Sequence, residues 1–203
     1  MKKITYLLLF TFAAFTLYSQ TDLDKSILEA QAYIKQKNYK DAQIALQQAI
    51  GYLNELMGKE VLAALPLTLN DLSANTGSDV NNTAGMAMMG GGINISRSYQ
   101  SAATDGANLE INIAANSPLL SSITMMINNP LMLSSSQDAG KSIKVGNRRS
   151  LIKSKPADKN YELMIPLVNS LLTINGNNIK DEAGFLGYVN KLEIEKIAKV
   201  LGE

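Results

Sequence analysis

The spacing of apolar residues changes period along the chain, and each change predicts a different element. From Asp22 to Leu65 apolar residues recur every three or four positions: Leu23, Ile27, Ala30 and Ile34, then Ala42, Leu46, Ala49, Ile50 and Leu53 after a break at Lys37-Asn38. That pattern predicts two amphipathic helices folded into a hairpin, the second restarting at Tyr39-Lys40. Ala42, Ala45 and Ala49 are small enough to let the helices approach closely, with Tyr33 and Tyr39 adding bulk at the contact.

From Ile93 the period is two. Ile93, Ile95, Arg97 and Tyr99 alternate with Asn94, Ser96 and Ser98, and after a turn at Thr104-Asp105-Gly106, Leu109, Ile111 and Ile113 alternate with Glu110 and Asn112. Two antiparallel strands are expected. Ser117-Pro118 then opens a helix, since Ser can cap free N–H groups and Pro suits the first helical position. Leu119, Ile123, Met126 and Ile127 share one face of it and are expected to press on the sheet. Asn129 before Pro130 should end this helix, leaving Met125 and Leu131 to Leu133 available to a partner.

Gly146-Asn147 marks a tight hairpin. A two-residue turn sets Val145 against Arg148, Lys144 against Arg149 and Ile143 against Ser150. Lys144, Arg149, Lys153 and Lys155 then share a face with Leu151, while Ile143, Val145 and Ile152 take the other. Strands are expected at Tyr161 to Ile165 and Leu171 to Ile174, and Asn175-Gly176-Asn177-Asn178 reads as a turn because Asn and Gly tolerate left-handed backbone. Asp181 caps a helix from Glu182 to Val189, and a last helix runs from about Leu192 to Leu201.

The predicted fold class is therefore α+β: an N-terminal helical hairpin, then an antiparallel sheet of about six strands covered by helices. Residues 66–92, rich in Asn, Ser, Thr and Gly, read as a flexible linker between the hairpin (20–65) and the α+β domain (93–203). Met86, Met88 and Met89 give that linker an apolar character, either a docking patch or a cover over the domain surface.

The first nineteen residues change the picture of where the protein works. Lys2-Lys3, the apolar run 4–18 and Ser19 have the layout of a signal peptide, and the run is shorter than the roughly 20 residues of a spanning helix. Cleavage beside Ser19 exports the chain to the periplasm or the exterior. With no cysteine, lipoprotein attachment and disulfides are excluded. Seventeen basic and eighteen acidic residues remain after cleavage, a balance that gives no argument for nucleic acid as partner.

In the hairpin, Ala30, Tyr33, Ala42, Leu46 and Ala49 resemble the small-large pattern of a single tetratricopeptide repeat, with Ser26 and Glu29 departing from it. The resemblance implies a helix-turn-helix unit whose faces need neighbours, so the hairpin must dock on its own domain or on another protein. The C-terminal part resembles, in topology alone, the small sheets of the PsbP and LolA types. The mature chain as a whole is similar to an uncharacterised class of exported bacterial proteins in the order of Gly-rich linker, Arg97-Tyr99 strand and uncharged helix; this implies no activity.

Candidate chemistry is sparse. The chain has no histidine and no cysteine, which removes Ser-His-Asp, Cys-His and thiolate catalysis. Ser150-Leu151-Ile152-Lys153 has the spacing of a serine–lysine pair, but residues three apart in a strand face opposite sides. Asp105, Asp138, Asp158, Asp181 and Glu182 lack the alternation of a calcium loop. The expectation is a non-enzymatic envelope protein, without metal or cofactor, that binds another protein or an apolar ligand through the hairpin or through Met86, Met88, Met89 and Met125. The alternative is a carrier or sensor of anionic lipid or glycan using Lys144, Arg149, Lys153 and Lys155 in the basic stretch 141–159, whose bland reading is a solvated strand face that resists edge pairing.

Overall fold

In the computed structural model, the structure describes residues 21–81, 93–103, 106–129, 133 and 140–203. Residues 1–20, with the stretch whose layout is that of a signal peptide, the triple glycine, Met86, Met88, Met89, Leu131 and Met132 lie outside them.

Helix α1 (21–35) and helix α2 (Tyr39–Ala64) form the hairpin, turning over Gln36 to Asn38 with Lys37 at φ 59°. Nine antiparallel strands follow in one sheet: β1 (Thr68–Leu69), β2 (Leu72–Ala74), β3 (Val80–Asn81), β4 (Asn94–Ser101), β5 (Asn108–Ala115), β6 (Lys141–Val145), β7 (Arg148–Lys155), β8 (Asn160–Pro166) and β9 (Ser170–Asn177). Helix α3 (Leu119–Asn128) lies between β5 and β6, and helices α4 (Glu182–Val189) and α5 (Ile194–Val200) close the chain. The strand order is β1-β2-β4-β5-β9-β8-β7-β6, with β3 also on β4.

The sheet has three strands more than expected. The additional ones, β1 to β3, lie between residues 68 and 81 of the stretch read as linker. Each is two or three residues long, too short for an alternating pattern to register. Asn70 at φ 55° makes the turn between β1 and β2, and Leu69 and Leu72 on either side of it are fully buried.

Alternation divides the sheet cleanly. Ile95, Tyr99, Leu109, Ile111, Ile113, Ile152, Leu163, Ile165, Leu172 and Ile174 form the inner face, covered by Val61, Ala64 and Leu65 at the end of α2, by Phe185 and Val189 of α4 and by Ile194, Ile197 and Ala198 of α5. On the opposite face α3 sets Ile123 and Ile127 over Leu151, Met164 and Leu171 as a second, smaller core. Expected contacts from Ile123 and Ile127 are present, whereas Leu119 is 57% exposed because it sits at the open first turn. Leu133, expected to stay available, is half-buried against this cluster.

Arg97 falls on the inner face, and the fold is arranged to satisfy it. Its Nε and second guanidinium nitrogen hold both Asp79 oxygens at 2.9 and 2.6 Å, and its remaining nitrogen donates to the carbonyls of Leu62 and Leu65 at 2.9 and 3.0 Å. A buried cation thus occupies the negative end of α2 and joins it to β4 and to the segment before β3. Beside it the Tyr99 hydroxyl donates to Pro66 O at 2.9 Å.

Gly176 is not in a turn; it lies within β9, which runs on to Asn177, and the left-handed turn residue is Asn178 at φ 55°. A Cβ at Gly176 would come within 2.4 Å of Ile179 and 2.8 Å of the Phe185 ring. The missing side chain leaves space for Phe185 to stack on Tyr161, the cross-strand partner of Gly176, at 5.5 Å between centroids.

Candidate functional site

The hairpin buries its small residues and exposes its large ones. Ser26 and Ala30 of α1 and Ala42, Ala45 and Ala49 of α2 are buried, while Ile27, Ile34, Tyr39, Leu46, Ile50 and Leu53 are between 38% and 66% exposed. The amphipathic pattern therefore splits: Ala forms the contact between helices and the long side chains remain outside it.

The exposed set has a common direction. At 3.6 residues per turn, Tyr39, Leu46, Ile50 and Leu53 lie roughly 75° to one side of the Ala42, Ala45, Ala49 line, and Leu23, Ile27 and Ile34 are displaced in the same sense from Ser26 and Ala30. In an antiparallel pair, equal rotational displacement puts both stripes on the same side of the hairpin. The result is one apolar flank, free of charged side chains from Leu23 to Ile34 and from Tyr39 to Met57. Leu28 and Ile44 are exposed elsewhere on the hairpin, singly. Toward the sheet, α2 docks through its C-terminal part, against α5, β3 and β4.

The basic hairpin has the expected register, with Lys144 opposite Arg149 and Val145 opposite Arg148. Gly146 at φ 57° makes the tight turn. Three of its cations are matched: Lys141 to Glu182 at 2.7 Å, Lys153 to Glu162 at 3.6 Å and Arg148 to Glu195 through two 2.9 Å bonds. Hydrogen bonding to Glu195 raises the Arg148 pKa, and the same bond holds the Glu195 carboxyl below the usual carboxylate range. Lys144, Arg149 and Lys155 are exposed and, among the described residues, meet no carboxylate within ion-pair distance. Lys155 is six positions along the strand from Arg149, roughly 20 Å away. Of the four candidate anion-binding residues, only Lys144 and Arg149 are adjacent and uncompensated.

Met125 is 59% exposed on the outer side of α3, as its helical position requires. Ser150 and Lys153 lie on opposite faces of β7, and the Ser150 hydroxyl donates to Arg148 O at 3.4 Å. Asp181 serves as the cap of α4, accepting from Gly184 N–H at 2.7 Å. Among the described residues no group of three acidic, His or Cys side chains could hold a metal, and no helix is long and apolar enough to cross a membrane.

One feature escaped sequence reasoning. Cross-strand register brings Ser98, Glu110, Asn175, Glu162 and Lys153 into one row on the outer face, beside an open cavity of about 620 Å³. These residues span more than fifty positions, so only strand order could reveal the row. A second cavity of about 640 Å³ lies between the β6–β7 turn and the α4–α5 junction, with Val145, Leu192 and Ile194 in its wall. Neither cavity touches the hairpin flank.

No family model matches the chain, and no curated protein or solved structure does so either. Architecture and surface chemistry alone therefore define its class: an α+β protein with an antiparallel sheet and a projecting helical hairpin.

Proposed function

We propose that this is a non-enzymatic exported protein of the cell envelope that binds another protein through the apolar flank of its N-terminal hairpin. The observation that carries the reading is the exposure of Ile27, Ile34, Tyr39, Leu46, Ile50 and Leu53 together on one uncharged side. Exposed apolar patches of this extent mark interaction sites, whereas single exposed aliphatics do not. An open flank built from two helices suits a protein surface better than a small apolar ligand, which needs a concavity to bury most of its area. The lack of His and Cys supports a binding rather than a catalytic role.

A second reading, contact with anionic lipid or glycan, is favoured by one observation: Lys144 and Arg149 stand directly opposite each other without compensating carboxylates, an arrangement that costs stability unless an anion bridges them. Co-purification from an envelope fraction, analysed for both protein and lipid, separates the two. Leu46→Glu with Ile50→Glu should remove a protein partner, and Lys144→Glu with Arg149→Glu should leave it. Loss of a lipid or glycan species with the second pair alone would favour the second reading.

A further inference from the structure

We infer that the partner on the hairpin flank is a second copy of this chain, joined through an antiparallel four-helix bundle; the inference rests on the reading of that flank as a protein-binding surface. A two-helix hairpin with one apolar side is half of such a bundle, and its own contact, made by Ser26, Ala30, Ala42, Ala45 and Ala49, leaves the large side chains without an interior. For side chains of this size, the exposed fractions correspond to about 500 Å² per chain, at the upper end of the largest patch on ordinary monomers. Two such flanks would bury about 1,000 Å², the lower limit for a specific interface.

The chemistry of the flank selects its own kind. Its apolar stripe carries no charge and is edged on α2 only by the uncharged amides Gln43, Gln47 and Asn54, so a strongly charged partner surface would be desolvated without compensation. A two-fold axis presents the same apolar stripe from both sides. The direction of that axis follows from α2, which runs into the sheet domain through Val61 and Ala64. An axis parallel to the helices would place both sheet domains at the same end of the bundle. An axis perpendicular to the helices places them at opposite ends and lays α1 antiparallel over α1 of the copy.

That arrangement makes a charge prediction. Asp24 and Lys35 are both exposed, near opposite ends of α1, just beyond the apolar stripe on the same side. Antiparallel pairing of α1 with its copy sets each Asp24 against the partner copy's Lys35 and so satisfies both ends of the contact.

Sedimentation velocity of the exported chain, purified without its leader, tests this. The chain should sediment as a dimer at roughly 50 µM, consistent with an interface of the lower size class. Leu46→Glu with Ile50→Glu should give a monomer of unchanged helical content. Lys35→Glu should weaken association several-fold, and adding Asp24→Lys to it should restore association, which a general effect of charge on folding would not do. A wild-type monomer at roughly 100 µM, or a dimer that survives Leu46→Glu with Ile50→Glu, overturns the inference. A monomer that still cross-links to a different protein through the hairpin would remove the dimer and leave the binding role; a monomer that cross-links to nothing there would remove both.

Discussion

Arg97 shows how one residue can decide whether a terminus of a helix and a strand belong together. Its side chain is almost wholly buried, and it takes the Asp79 carboxylate and two carbonyls of α2 at once. Replacing it with Met leaves Asp79 and those carbonyls without their donor, so Arg97→Met should cost about 3–5 kcal/mol in denaturant unfolding. Arg97→Met with Asp79→Leu should recover a large part, since the uncompensated charge is then gone. Tyr99 beside it supplies a pH signature. Burial pushes its phenol up to about 12 from an ordinary 10, against the opposing pull of the Arg97 charge. The folded state therefore holds this proton after the unfolded state has released it. The contribution is complete below pH 10 and is lost as pH rises from 10 to 12. Tyr99→Phe should flatten the fall of unfolding free energy over that window; a slope equal to wild type would mean the phenol is not desolvated. Period-two spacing in the sequence places Arg97 among core residues but cannot name Asp79, which is eighteen positions away in the irregular segment before β3.

At the scale of elements, most of the secondary structure is legible because each element carries its own punctuation. Asn38 stands before α2, Asp181 before α4 and Gly146-Asn147 between β6 and β7, each where the pattern changes. Two kinds of element are not legible. Strands β1 and β2 derive from packing Leu69 and Leu72 under the sheet, and β3 from its pairing with β4, rather than from any local period. Asn175-Gly176-Asn177 has turn composition but continues β9, because tertiary contact with Ile179 and Phe185 requires glycine there. This makes Gly176→Ala a discriminating substitution. If the glycine were a tolerant turn residue, Ala would be neutral. As a packing position it should lose about 1–3 kcal/mol through overpacking, measured by the midpoint shift in urea with unchanged m-value.

For the whole molecule, the sheet with its two unequal cores is complete without the outer half of the hairpin. The inner core is closed by α2, α4 and α5 and the outer one by α3. Among the described residues, the N-terminal part of the hairpin adds no large side chain to either. Sequence periodicity identified its apolar residues but not their fate, since a helix face that meets a core and one that meets a partner have the same spacing. Only the observed burial of Ala rather than Leu and Ile separates them. The most direct test of the binding role is photo-cross-linking in the intact envelope, with a photoreactive residue at Ile50 on the flank or at Lys155 on the outer sheet. A defined protein adduct from Ile50, absent from Lys155 and lost with Leu46→Glu, is the expected result; no adduct from Ile50, or equal adducts from both positions, would contradict the account.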